Sequence, residues 1–235
     1  LKLANVPFVG AGVLGSAVGM DKDVQKRLLR DAKISIANFI VLTNLYPLAP
    51  VPFPYPIFVK PANLGSSVGI TKAKNKKALI QAIKEAFKYD QRALAEEHVA
   101  GREATCGVLE DFRGERYYAL PVIEICPPVG RFFDYEVKYY GETREICPGR
   151  FDRETSQKIK EAAVLAHRVL GCRHYSRSDF IVSPKRGVFV LETNTLPGLT
   201  SQSLLPKAAE AVGLSFPRLL DHFVTLALER RQDST

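Results

Sequence analysis

The stretch YSRSDFIVSPKRGVFVLETN (175–194) decides the fold. Two runs rich in β-branched and aromatic residues flank Pro184-Lys185-Arg186-Gly187, the pattern of an antiparallel hairpin. If Ser183 pairs with Val188 across a four-residue loop, Asp179 stands opposite Glu192 and Arg177 opposite Asn194. Opposed residues share a face, and so do positions i and i+2. Arg177, Asp179, Glu192 and Asn194 then form one polar square. The other face sets Phe180 against Leu191 and Val182 against Phe189, a surface for a core. Two carboxylates facing each other across a ladder repel unless a cation lies between them. Arg177 can neutralise one, which leaves the other in need of a cation. Oxygen ligands from Asp, Glu and Asn suit magnesium, a hard ion usually shared with substrate phosphates. The plainer alternative is a solvated face on which Arg177 simply pairs with the acids.

Downstream, the hydroxyl-rich turn Thr195 to Ser203 leads into a helix near Pro206, whose first amides suit a carboxylate or oxyanion. The chain closes on a helix near 216–230, with Leu219, Leu220, Phe223 and Leu226 inward. Upstream, a helix over 154–170 turns Ile159, Ala162, Ala166, Val169 and Leu170 inward, and Gly171 stops it. Residues 93–99, 103–109 and 119–125 read as strands. Leu79, Ile80, Ile83, Ala86 and Phe87 recur at helical spacing over 75–89. A short strand at 57–60 precedes that helix, behind a proline-dense stretch at 45–56 that reads as a linker. Residues 34–43 are strand-like, and 21–32 read as a helix capped by Asp21 with Val24, Leu28 and Leu29 on its packed face. Strands mixed with helices in this way predict an α+β protein.

Two glycine segments compete for a phosphate. Gly10-Ala11-Gly12-Val13-Leu14-Gly15 matches the dinucleotide pattern GxGxxG, but no acidic residue ends the next strand, so the match is weak. Gly65-Ser66-Ser67-Val68-Gly69 follows the strand that carries Lys60. Its backbone donors and hydroxyls can fold over phosphates with Lys60 as counter-charge, although no Walker A pattern is present. A plain Gly-Ser turn beside a surface lysine is the alternative.

At 235 residues, 46% hydrophobic and 25% charged, the chain is ordinary globular material with ample apolar surface to bury. No run of about 18 uncharged apolar residues predicts a membrane span. The first residues show no signal-peptide pattern, and a reducing cytoplasm is the setting expected for the thiols. A net charge of +8 favours an anionic partner. Lys and Arg are scattered among acids and Trp is absent, so a phosphate-bearing small molecule suits the charge better than nucleic acid. Cys106, Cys126, Cys147 and Cys172 form no Cys-x-x-Cys pair, and the four His show no ligand spacing with them. Free, mostly buried thiols are expected rather than a zinc site.

Together GAGVLGSAVGMDK (10–22), FVKPANLGSSVGITK (58–72), EEHVAGRE (96–103), FDYEVKYY (133–140), GCRHYSRSDF (171–180) and LETNTLPGLTSQSLLP (191–206) carry a resemblance. They resemble the ATP-grasp enzymes, and within them the D-alanine–D-alanine ligases, in order along nearly the whole chain. The resemblance implies two α+β subdomains with the nucleotide between them. It sets residues 1–19 as the end of an N-terminal domain or linker, 20–97 as the first subdomain and 98–235 as the second. The family's usual N-terminal domain, which recognises the first amino acid's ammonium, is not within the 235 residues.

By the same resemblance Lys22 and Lys60 contact ATP phosphates, and Gly65, Ser66 and Ser67 belong to the loop that closes over them. Glu96 and Val99 sit where adenine is held, and Glu103 where the ribose hydroxyls bind. Lys138 and Tyr139 match a lid, Lys138 reaching phosphate and Tyr139 hydrogen-bonding toward Ser66. Asp179, Glu192 and Asn194 match ligands of magnesium, which manganese can replace. Arg177 and the Gly198 backbone match the oxyanion site, Ser203 and Leu204 the acceptor carboxylate site. Glu97 stands where several relatives carry Lys. The implied reaction makes D-alanyl-D-alanine for peptidoglycan from D-alanine and ATP, through D-alanyl phosphate. Partners are these small molecules, with neither nucleic acid nor membrane, and a homodimer is the assembly the resemblance allows. In D-alanine–D-lactate ligases the lid commonly carries Phe at the position of Tyr139, so this Tyr argues for an amine acceptor. A nucleotide-binding module without catalysis is the alternative of a different class, and the intact polar square speaks against it.

Overall fold

The hairpin forms, but by a different route from the one its spacing predicts. The computed structural model describes residues 1–45, 50–65, 68–127 and 143–232. In chain order the helices are α1 (Val13–Met20), α2 (Lys22–Asp31), α3 (Lys76–Ala86), α4 (Arg153–Val169), α5 (Leu204–Glu210) and α6 (Phe216–Gln232). The strands are β1 (Phe39–Leu42), β2 (Ile57–Pro61), β3 (Thr71–Ala73), β4 (Ala93–Glu97), β5 (Arg102–Phe112), β6 (Glu115–Ala119), β7 (Ile123–Cys126), β8 (Arg144–Ile146), β9 (Tyr175–Ser183) and β10 (Gly187–Asn194).

Gly187 takes φ +85°, which glycine adopts without strain, and joins the ladder opposite Ser183. The loop is thus one residue shorter than expected. Val182 faces Val188 and Phe180 faces Val190, in place of the expected Phe189 and Leu191. A bulge between Val190 and Glu192 then adds one residue to β10, and the two slips cancel. Asp179 stands opposite Glu192, and Arg177 opposite Asn194, as the sequence predicts.

Among the described residues all strand pairs are antiparallel, in two sheets. One is ordered β1-β4-β2-β3; the other runs β10-β9-β5-β7-β8, with β6 beside β5. The smaller sheet packs Ile57, Val59 and Ala95 against Leu79, Ala82, Ile83 and Ala86 of α3. Asn75 caps α3 by accepting from the Ala78 N–H at 2.9 Å. On one face of the larger sheet, Ala104, Cys106, Phe180 and Val190 meet Ile159, Ala163 and Ala166 of α4. The helix ends where Gly171 adopts φ +64°. On the opposite face, Leu109, Ile123 and Tyr175 lie under Leu205, Leu219 and Phe223 of α5 and α6. Those two helices cover only part of that face. The end bearing Arg177, Asp179, Glu192 and Asn194 is left as the floor of a cleft.

Several elements differ from expectation in ways that matter for the cleft. The strand expected over 34–43 shrinks to β1, with a lone parallel bridge from Ile36 to Val190. Residues 119–125 are not one strand but the end of β6 and the start of β7. In α4 Ala163 is buried and the expected Ala162 only half-buried, and in α6 Leu220 is exposed. The larger correction concerns α2. Val24 faces outward, and the buried residues are Lys22, Asp23, Gln25, Lys26 and Leu29. Apolar spacing misleads here because the packed side of α2 faces a polar cleft. No strand precedes Gly10, so the GxGxxG match is not part of a strand–turn–helix unit. Among the described residues no helix is long and apolar enough to cross a membrane.

Glu124 on β7 supplies an acid-sensitive contact. It accepts from Arg150 Nε at 2.9 Å and Arg102 Nε at 3.1 Å, and these guanidiniums pull its carboxyl from 4.5 to about 2. A depressed carboxylate stabilises the fold above its unfolded pKa and stops doing so as pH falls through the folded one. The contribution should therefore be complete above about pH 4.5 and disappear toward pH 2. Glu124→Gln is expected to cost about 1–2 kcal/mol at pH 7, since both arginines are half in water. It should also flatten the urea midpoint's dependence on pH across that window. An unchanged profile would count against this role.

Candidate active site

Helix α2 brings Lys22 to the cleft and buries Lys26 behind it. Asp21 starts the helix by accepting from Asp23 N–H at 3.0 Å and Val24 N–H at 3.1 Å, and its other oxygen takes Arg92 at 2.6 Å. Lys22, in the first turn, donates its Nζ to the Leu64 carbonyl at the foot of the glycine-serine loop. Burial lowers its pKa, although the Glu192 charge opposes that. Lys26, one turn on, lies 3.3 Å from Glu96, whose second oxygen accepts from Lys60 at 2.8 Å. Glu96 is almost fully buried; burial pushes its carboxyl up, but Lys26 and Lys60 together hold it below the ordinary value. For Lys60, burial acts downward and is outweighed by Glu96, so its pKa is raised. Lys60 therefore stays charged. Burial lowers the pKa of Lys26 against the pull of Glu96, so Lys60 is the firmer of the two charges beside the cleft.

Asp179 is gripped by its neighbours. Arg177 donates Nε and a terminal nitrogen to its two oxygens, each at 3.0 Å, and Thr105 Oγ1 donates at 2.6 Å. The sequence alternative of an Arg177–acid pair is thus realised for one carboxylate. Glu192, by contrast, makes no hydrogen bond or ion pair among the described residues, and its charge acts on Lys22, Lys26 and Lys60. Asn194 Oδ1 accepts from the Leu196 N–H at 3.0 Å. No group of three His, Cys, Asp or Glu able to hold a metal occurs among the described residues. A hard cation fits here only on Asp179, Glu192 and Asn194 oxygens completed by ligand phosphate. Glu192 supplies a carboxylate whose side chain has no other partner among the described residues.

Two cavities open along this floor. One, of about 580 Å³, is lined by Lys22, Gly65, Arg177, Glu192, Asn194, Gly198, Ser203 and Leu204. The other, of about 560 Å³, is lined by Phe58, Lys60, Glu96, Val99, Glu103, Ile181 and Leu191. The first sets Lys22 and Arg177 against Glu145 and Glu192; the second has apolar walls that suit a planar base. Ser203 starts α5 without capping it, because its Oγ accepts from the Thr200 N–H at 3.1 Å. The opening amides of α5 are therefore not satisfied by a side-chain cap. Gly19 allows the close approach of α1, since a Cβ there would lie 2.4 Å from Thr195 Cγ2.

Of the predicted site residues, Lys22, Gly65, Arg177, Glu192, Asn194, Gly198, Ser203 and Leu204 line the first cavity and Lys60, Glu96, Val99 and Glu103 the second, while Asp179 lies beside Arg177. Ser66, Ser67, Lys138 and Tyr139 lie outside the described residues. Sequence reasoning missed Gln25, Lys26 and Thr105. Lys26 and Gln25 sit on what reads as a solvated face, and Thr105 in a strand whose alternation gives no hint of a carboxylate partner.

Two antiparallel sheets around a lysine-lined cleft, with opposed carboxylates on its floor, define the ATP-grasp class of ligases. The family described as D-ala D-ala ligase C-terminus matches residues 28–225. A protein named D-alanine–D-alanine ligase from Halalkalibacterium halodurans is 43% identical over 236 residues, spanning 98% of this chain and 76% of its own length. The solved structure of D-alanine–D-alanine ligase from Bacillus anthracis complexed with ATP superposes with TM-score 0.84 at 28% identity, covering 100% of this chain and 75% of the other. That of VanG D-Ala:D-Ser ligase from Enterococcus faecalis gives 0.81 at 35% identity, covering 96% and 66%. The chain belongs to the D-alanine–D-alanine ligase family.

Proposed function

We propose that the chain is an ATP-dependent ligase that joins two D-alanines through D-alanyl phosphate, giving D-alanyl-D-alanine for peptidoglycan. The observation that carries this reading is Glu192 opposite Asp179, with Arg177 and Asn194 completing the square, in a cavity shared with Lys22 and Gly65. The reading divides the chain at 19/20 and 97/98; the two separate sheets support the second boundary. It places ATP along both cavities, adenine near Val99 and Glu96, ribose at Glu103, and phosphates at Lys22, Lys60 and Gly65-Ser66-Ser67.

Each residue then has a physical task. Lys60, kept charged by Glu96, and Lys22 at the start of α2 offset charge on the phosphoryl group that moves to the D-alanine carboxylate. Asp179, Glu192 and Asn194 hold magnesium or manganese, which when bound supplies further positive charge to those phosphates. Arg177 and the Gly198 N–H stabilise the oxyanion that forms when the acceptor amine attacks the acyl phosphate. Ser203, through its hydroxyl, and Leu204, through an amide that no side chain caps, bind the acceptor carboxylate. Lys138 and Tyr139 serve as the lid that keeps water from the acyl phosphate. A cytoplasmic setting belongs to the same reading, since the reaction consumes ATP.

Product analysis tests the proposal. With ATP, magnesium and D-alanine, the protein should release ADP and form D-alanyl-D-alanine. With equal D-alanine, D-serine and D-lactate as acceptors at pH 7, the dipeptide with D-alanine should dominate. Tyr139→Phe should gain measurable D-alanyl-D-lactate, because one hydrogen bond of about 1 kcal/mol shifts a preference several-fold. ADP release that does not depend on D-alanine would sink the ligase reading. A D-serine product would move the acceptor assignment alone.

A further inference from the structure

Gln25 lies on the packed side of α2, 1% exposed, and its whole side-chain amide is engaged with backbone. Its Nε2 donates to the Thr193 carbonyl at 3.0 Å and to the Gly19 carbonyl at 3.2 Å. Its Oε1 accepts from the Thr193 N–H at 2.7 Å. One side chain thus acts as a ladder partner for both polar groups of a residue on β10, the last strand of its sheet. The outer edge of such a strand frays or shifts register unless something pairs with it. Farther along, the Ser35 carbonyl covers the same edge by accepting from the Val190 N–H at 2.9 Å.

The bulge decides which residue Gln25 meets. In an unbroken strand every second residue turns its backbone outward, so Glu192 would follow Val190. The extra residue between Val190 and Glu192 hands that place to Thr193. Thr193 is the residue between Glu192 and Asn194, whose side chains line the cleft cavity. The Gly19 carbonyl ties the same amide to the end of α1, which lines that cavity too.

We propose that Gln25 is a positioning residue for the oxygen donors Glu192 and Asn194. By pinning both backbone groups of Thr193, it sets the spacing of the two side chains and holds them in register with Lys22 on its own helix. This rests on the metal reading given above. Methionine at position 25 would keep the volume but leave the Thr193 edge groups and the Gly19 carbonyl without their partner. Glutamate would keep the acceptor for the Thr193 N–H but set an oxygen against two carbonyls.

The probe is Mn2+, titrated by electron paramagnetic resonance into the protein with a non-hydrolysable ATP analogue. Gln25→Met should weaken Mn2+ binding at least fivefold, and Gln25→Glu by as much or more. The KM for D-alanine, and affinity for the analogue without metal, should stay within twofold. A folded Gln25→Met with Mn2+ affinity within twofold of the parent would overturn the proposal, and so would equal weakening of metal-free nucleotide binding. Glu192→Gln separates the two layers. If it too retains Mn2+ binding, the metal reading itself fails; if it loses binding while Gln25→Met does not, only the role of Gln25 fails. Should both Gln25 variants unfold, the parent decides by nuclear magnetic resonance. The Gln25 side-chain amide signals should move when Mg2+ is added to the nucleotide complex, and signals that stay put overturn the role.

Discussion

Glu192→Gln should lower D-alanine-dependent ADP release by a factor of about 10²–10³ or more, with the melting temperature nearly unchanged. The substitution removes a charge and almost no volume. Glu192 has no hydrogen bond or ion pair among the described residues, so its loss breaks no contact that holds the fold. What it removes is the carboxylate facing Asp179 across the ladder, within reach of the Lys22 and Lys60 charges. Asp179→Asn is the less informative change, because it also releases Arg177 and Thr105. Turnover of Glu192→Gln within twofold of the parent would dismiss the metal assignment.

Glu96→Ala should be the most destabilising single change near the cleft, by about 3–5 kcal/mol at pH 7, because it leaves Lys26 and Lys60 buried without their counter-charge. Lys26 is 1% exposed and cannot turn its ammonium to water. The sign with pH follows from the lowered carboxyl. Glu96 stabilises the parent above its unfolded pKa near 4.5, and that contribution fades as pH falls below it. ATP should restore part of the loss in the variant, since phosphates bring negative charge to Lys60. Urea denaturation with and without nucleotide reads both effects. A loss under about 1 kcal/mol would mean that water or a rearranged side chain compensates the two lysines.

How much of the site was legible follows from the kind of spacing each part uses. Asp179, Glu192, Arg177 and Asn194 lie on two strands joined by one short turn, so a two-residue period carries them to one face. The register near the turn was misjudged by one residue, because Gly187 at φ +85° enters the ladder. The bulge beyond Val190 hid that error at the polar end. The face of α2 was misread for a different reason. Helical periodicity reports apolar burial, and this helix buries Lys22, Gln25 and Lys26 against charges and backbone from distant segments.

The sequence by itself determined the hairpin, most of the strands and helices, the glycine-serine segment after Lys60, and the resemblance that names the chemistry. Each depends on residues close in the chain, where period, turn chemistry and short motifs act directly. Only the tertiary structure decided that Glu96 holds two lysines at once. It alone decided that Arg177 is engaged with Asp179 while Glu192 is not, and that Gln25 closes the edge of β10 at Thr193. Those contacts join residues up to 168 positions apart. Their strength comes from burial away from water, which no local pattern of residues can report.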